Sequence, residues 1–162
     1  MIYILDTNII RKILFHLPKK GKHFESIWIA LERGIESGLY ISVDECFNEL
    51  KRQFSKDADA FKWISKRKRM FMNPEDEESI VIKNIFQNPK FQECIHTKNI
   101  LENRPSADPY IVAKGKILGA TVITEEEYKP NSAQLPNLCE ALSVPCLGYD
   151  DFMEIVSNSI ET

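Results

Sequence analysis

Met1-Ile2-Tyr3-Ile4-Leu5-Asp6-Thr7-Asn8 opens the chain, and the reading of this stretch decides the fold. Ile2 to Leu5 is an unbroken apolar run of β-branched and aromatic residues, the pattern of a short strand buried on both faces. It stops at Asp6-Thr7-Asn8 and gives way to Ile9, Ile10, Ile13 and Leu14, whose spacing predicts a helix. A carboxylate at the C-terminal tip of a central parallel strand stands where open α/β sheets bind ligands. Desolvating that carboxylate is costly unless a positive charge compensates, and a divalent cation is the usual one. Asp6 is equally well placed to cap the helix that follows, so the residues themselves leave both readings open.

Beyond a basic loop, Leu17-Pro18-Lys19-Lys20-Gly21-Lys22, the positions Phe24, Ile27, Trp28, Leu31 and Ile35 predict a helix from Phe24 to Ser37. Gly38 stops it, and Leu39 to Ser42 reads as the second strand of a right-handed βαβ unit. Ser42-Val43-Asp44-Glu45 matches a capping box, opening a helix through Cys46, Phe47 and Leu50. Glu49 lies one turn past Glu45 on the same face and has no capping duty. Asp57 to Arg69 reads as a further helix with Phe61 and Ile64 inside, and Met70 to Met72 as an edge strand. Pro74 opens a helix whose early acids, Glu75 to Glu78, suit its dipole, with Ile80, Val81, Ile85 and Phe86 inward. Residues 90–104 read as one or two short helical pieces and a loop.

Ser106 is a good N-cap for a helix with Pro109 in its first turn, and that places Asp108 at the dipole's positive end. The helix ends near Leu118-Gly119. Ala120 to Thr124 is a buried strand followed at once by Glu125-Glu126-Glu127. A helix opened near Pro136, a strand from Val144 to Leu147 and a helix from Asp150 complete the chain. Strands alternating with helices predict a three-layer α/β/α sandwich around a central parallel sheet of four or five strands, with residues 2–5 in the middle.

At 162 residues the chain is expected to form a single domain, residues 1–162. No apolar run approaches the roughly 20 residues that span a bilayer, so no membrane role is expected. A strand beginning at residue 2 leaves no room for a leader. The four cysteines, Cys46, Cys94, Cys139 and Cys146, show no metal-like spacing with the three histidines. Reduced thiols and a cytoplasmic setting follow. A net charge of −3 means that any nucleic acid must be held by local basic patches. The run Lys66-Arg67-Lys68-Arg69, with Lys19, Lys20 and Lys22, is a candidate patch; a solvated face is the alternative.

Four acids fall at equivalent places: Asp6 after strand one, Glu49 in the helix after strand two, Asp108 at a helix start and Glu126 after strand four. In a doubly wound sheet these places share one edge. Such a cluster repels itself unless cations fill it, and an all-oxygen ligand set selects hard ions such as Mg²⁺ or Mn²⁺. Phosphodiester hydrolysis is the chemistry that suits it.

Asp6-Thr7-Asn8 after an apolar strand, Glu49-Leu50, Ala107-Asp108 and Val122-Ile123-Thr124-Glu125-Glu126 together resemble the successive motifs of PIN-domain ribonucleases, in order and over nearly the whole chain. The tail, Leu135-Pro136-Asn137-Leu138-Cys139 and Pro145-Cys146-Leu147, resembles a less-studied bacterial branch of that superfamily. The resemblance implies a PIN-like nuclease domain and a Mg²⁺- or Mn²⁺-dependent endoribonuclease acting on RNA. It also implies a VapC-like toxin with an antitoxin protein as partner, and a homodimer. It makes Asp6, Glu49, Asp108 and Glu126 the metal and catalytic acids, with Glu49 either a ligand or an outer acid. Thr7 and Asn8 would orient Asp6, and Thr124 would hold a water or the metal's shell. The family's fourth motif usually has aspartate where this chain has Glu126, so Glu125 competes for that role.

Three other readings are weighed. A degenerate PIN fold would bind RNA or protein without cutting, and Glu126 in place of aspartate favours it. A DNA-directed structure-specific nuclease shares the chemistry, and no residue reads a 2′-hydroxyl. A phosphatase of the haloacid-dehalogenase type needs a second acid where Asn8 stands.

Overall fold

The computed structural model describes residues 1–92, 95–96 and 106–160. Five strands make one all-parallel sheet: β1 (Tyr3–Leu5), β2 (Tyr40–Val43), β3 (Phe71–Met72), β4 (Thr121–Ile123) and β5 (Cys146–Leu147). Their order across the sheet is β3-β2-β1-β4-β5. β1 is central as its composition predicts, pairing Ile4 with Ile41 on one side and with Val122 on the other. All four residues of β2 and all three of β4 are buried. Consecutive buried residues in a strand require cover on both faces, so the expected α/β/α layering holds.

The helices are α1 (Thr7–His16), α2 (Lys22–Glu36), α3 (Asp44–Gln53), α4 (Ala58–Lys66), α5 (Asp76–Gln87), α6 (Asp108–Leu118), α7 (Leu135–Leu142) and α8 (Tyr149–Asn158). α1 buries Ile9, Ile10, Ile13 and Leu14 in a single stripe, which leaves its opposite face free. α2 meets the sheet through Gly34, where the ring of Tyr40 occupies the space a Cβ would need. Tyr40 in turn packs edge-on against Phe152 of α8, with ring centroids 5.0 Å apart. Gly119 ends α6 at φ +59°, a left-handed conformation that glycine adopts without strain. Among the described residues, no helix is long and apolar enough to cross a membrane.

Several local expectations are corrected. Ser42 does not cap α3: β2 runs on through Val43, which is the N-cap, and the Ser42 hydroxyl donates to the Leu5 carbonyl at 2.7 Å. Glu45 therefore has no capping-box partner, and its Oε2 is buried without a hydrogen bond; burial raises its pKa. Asp57 is the N-cap of α4 and not its first residue, accepting the Ala60 N–H at 2.9 Å. The helix then stops at Lys66, and a 3-10 turn, Lys68–Met70, leads into β3. Ala60 and Ile64 are its buried residues, whereas Phe61 is exposed.

In α5 only Ile85 of the expected inward set is fully buried, and Ile80 is 65% exposed. Glu78 does more than suit the helix dipole. It is buried in an ion pair with Lys114 of α6, both side chains 1% exposed. Lys114 Nζ also donates to the Asn73 carbonyl at 2.9 Å. α6 begins one residue later than expected, with Ala107 at the cap, and Ser106 Oγ accepts the Asp108 N–H at 3.3 Å. Of the expectation for residues 90–104, helix is assigned at 89–92 and 95–96; the rest lies outside the described residues, as does Cys94. Cys46, Cys139 and Cys146 are free thiols.

Candidate active site

Asp6 stands at the tip of β1 and is also the N-cap of α1. Its Oδ1 accepts the Thr7 N–H at 2.6 Å and its Oδ2 accepts the Thr124 hydroxyl at 2.7 Å. Its backbone N–H, bonded to the Ile123 carbonyl at 3.0 Å, ties the tip to the end of β4. The carboxylate is thereby fixed in plane and only 6% exposed.

Burial in this position pushes the Asp6 pKa up to about 8 from 3.8, and the nearby charges of Asp108 and Glu126 push the same way. The two hydrogen bonds from Thr124 and Thr7 oppose the shift without cancelling it. Desolvation and like charge thus act together on one carboxyl, the combination expected where a counter-charge belongs.

The other predicted residues gather around it. Asp108, at the first position of α6, is 7% exposed. Glu49, equally buried, accepts the Thr7 hydroxyl at 2.6 Å; it reaches Asp6 through Thr7, in the position of an outer acid. Thr124 Oγ1 accepts from the Glu126 N–H at 3.1 Å and from Asn8 Nδ2 at 3.4 Å while donating to Asp6. This hydroxyl is the hinge pin of the site. Asn8 is drawn in twice, since its Oδ1 also accepts the Glu125 N–H at 3.2 Å.

The two competing glutamates diverge. Glu125 is exposed and its carboxylate turns away to Lys12 at 2.5 Å. Glu126 is half-buried, acts on Asp6, and accepts the Leu135 N–H at the start of α7 at 2.7 Å. A carboxylate at a helix N-terminus is held there by the dipole and unsatisfied N–H groups.

Of the basic run, Arg67 forms a two-pronged pair with Glu32 at 2.5 and 2.7 Å and stacks over Trp63. Lys68 pairs with Asp44 and lies over the Phe47 ring. Lys66 and Arg69 are exposed, so two of the four charges already have partners. Residues with no sequence signal of their own, Arg11, Lys12, Phe15 and His16, line a cavity of about 310 Å³ together with Asn8 and Glu125.

Among the described residues, no three histidine, cysteine, aspartate or glutamate side chains are gathered tightly enough to hold a metal by themselves. Mg²⁺ does not require that: it keeps several waters and takes one or two carboxylates. Asp6 and Asp108, all-oxygen and mutually repelling, fit a hard cation in that manner.

A family model described as "Domain of unknown function (DUF4411)" matches residues 3–159. No curated protein matches the chain. Among solved structures it is similar to VapBC2 from Rickettsia felis bound to a DNA fragment from their promoter, with TM-score 0.52 and 14% identity over 91% of this chain and 98% of that one. It is also similar to VapBC-1 from nontypeable Haemophilus influenzae, with TM-score 0.51 and 18% identity over 93% of this chain and 99% of the other. At such identities the likeness carries the fold, and the fold is PIN-like.

Proposed function

The chain belongs to the DUF4411 family, and on its PIN-like fold we propose that it is a Mg²⁺- or Mn²⁺-dependent endoribonuclease, the toxin of a type II toxin–antitoxin pair. One observation carries the reading: Asp6 is buried at the sheet edge beside Asp108 and Glu126, which raise its pKa together with burial. A carboxyl so placed is destabilised in the ionised form that a cation requires, unless the cation is there. Likeness to two VapBC assemblies supports an antitoxin partner and a nuclease activity.

Asp6 and Asp108 would hold the ion, with Glu126 the nearest further acid and Glu49 acting from outside through Thr7. A divalent cation bound there supplies Lewis-acid polarisation of a phosphate and of an attacking water. The chain's own groups do the positioning. Thr7 N–H and the Thr124 hydroxyl hold the two Asp6 oxygens at fixed angles, and Glu49 fixes the Thr7 side chain. Leu135 N–H anchors Glu126 so that its charge stays near Asp6. Lys66 and Arg69 are the members of the basic run that remain to meet phosphates.

The degenerate-module reading keeps one specific support: Glu126 is already engaged by Leu135 and no three-ligand cage exists among the described residues. Cleavage of a mixed RNA with Mg²⁺ or Mn²⁺, against an EDTA blank, decides between them. Wild type should cut, and Asp6→Asn and Asp108→Asn should fall to the blank while keeping the wild-type circular dichroism. Cutting that survives both EDTA and Asp6→Asn sinks the metal mechanism. A folded wild type that neither cuts nor binds metal hands the case to the binding module.

A further inference from the structure

We propose that the outer face of α1 is the track along which a single strand of the substrate lies, with Phe15 as a stacking platform and Arg11 as a phosphate contact; this rests on the ribonuclease reading above. Asn8, Arg11, Lys12, Phe15 and His16 recur at i, i+3, i+4, i+7 and i+8, one stripe opposite the buried isoleucines. From Asn8 to His16 the stripe runs about 12 Å along the helix axis, room for a few nucleotides. It begins at the acids themselves: Asn8 bonds Thr124, and Thr124 bonds Asp6.

The chemistry of the groove matches a single strand. Phe15 is 51% exposed, an unfavourable position for an aromatic ring on a helix that otherwise buries its apolar residues. Yet the ring is not loose, because Phe54 meets it edge-on at 5.4 Å and 76°. Phe54 is itself only 2% exposed, so Phe15 is held with its own surface available to a base. Stacking of this kind tolerates any base and is the common device of single-strand binders. Arg11 is exposed and forms no ion pair among the described residues, leaving its fork for a phosphate. Lys12 is held by Glu125 and by the Tyr149 ring, 4.3 Å away, so it lines the wall in a fixed place. A duplex would bury its bases from Phe15; a single strand would not.

The test is fluorescence anisotropy of a short labelled single-stranded RNA on the full chain in EDTA, where no metal-dependent cutting occurs, with the matching duplex RNA alongside. Wild type should bind the single strand more tightly than the duplex. Phe15→Leu keeps apolar contact with Phe54 and should weaken binding roughly five- to a hundredfold, whereas Phe15→Trp should retain it. Arg11→Gln should lower the salt slope by about 0.7. Equal affinity of wild type for the duplex, absence of binding, or wild-type binding by both Phe15→Leu and Arg11→Gln overturns the track. The two readings fail separately. Binding that depends on Phe15 without Mg²⁺-dependent cleavage refutes the nuclease and keeps the track. Asp6-dependent cleavage with wild-type binding by both Phe15→Leu and Arg11→Gln does the reverse.

Discussion

Replacing Asp6 with Asn should stabilise the metal-free protein at neutral pH. The folded pKa of Asp6 is pushed up to about 8 against 3.8 for an ordinary aspartate. An acid with a raised folded pKa favours the protonated native state, so its contribution is most favourable below pH 3.8 and is lost as pH climbs towards 8. At about 1.4 kcal/mol per unit, the roughly three units between 3.8 and neutrality make the proton that the buried carboxyl takes up on folding cost about 4 kcal/mol at pH 7. The amide carries no charge, so Asp108 and Glu126 no longer oppose it. One of its two polar atoms must be an NH₂ group where both Asp6 oxygens accept hydrogen bonds. With the amide oxygen kept on the Thr7 N–H, the NH₂ faces a Thr124 oxygen that already accepts from Glu126 and Asn8, so one hydrogen bond is lost at about 1 kcal/mol. The net gain should be about 2–4 kcal/mol, or roughly 5–15 °C in Tm. Urea unfolding in EDTA at pH 7 and at pH 4.5 measures it, and at the lower pH the difference should shrink below about 1 kcal/mol. Saturating Mg²⁺ should raise wild type but not the variant. A gain that is equal at both pH values, or a variant less stable than wild type at pH 7, refutes the electrostatic reasoning.

Lys114→Met should cost about 3–5 kcal/mol in urea unfolding, because it strands Glu78 in the core without a counter-charge; the double variant Lys114→Met, Glu78→Leu should recover most of that loss. Gly34→Ala drives a methyl into the Tyr40 ring and should lower stability by about 1–3 kcal/mol by the same assay. Glu126→Gln should reduce Mg²⁺-dependent cleavage strongly while Glu125→Gln leaves it within a few-fold of wild type, since Glu125 faces Lys12 instead of Asp6; the reverse order in an RNA cleavage assay would transfer the role. Lys66→Gln with Arg69→Gln should lower the salt slope of RNA binding by about 0.7 per residue, whereas Arg67→Gln should chiefly cost stability through the loss of Glu32.

The centre of the sheet was legible because β1 is a continuous apolar run and β4 a short β-branched one, each stopping at polar residues, and such runs leave a parallel strand few alternatives. The acids at the strand ends were legible for the same reason. How they are joined was not. That Glu49 meets Thr7, or that Lys12 draws Glu125 away from Asp6, depends on contacts across 42 and 113 residues that no local pattern encodes. Ser42 matched a cap but a strand claimed it, because its hydroxyl had the Leu5 carbonyl within reach. Glu78 matched a helix-start acid but was paired with Lys114, a partner 36 positions away on another helix. Phe15 gave no signal alone; its meaning comes from Phe54 beneath it and the acids at the end of its helix.

The bond from Thr124 to Asp6 spans 118 residues, and this has a consequence for the protein's birth. β4 inserts beside β1 only after most of the chain has been made, so closing that loop comes late among the contacts that must form. A chain that has left the ribosome with Asp6, Glu49 and Asp108 still lacks the hydroxyl that holds Asp6 in plane. The hydrogen-bonded arrangement around Asp6 therefore cannot assemble until synthesis has passed residue 124.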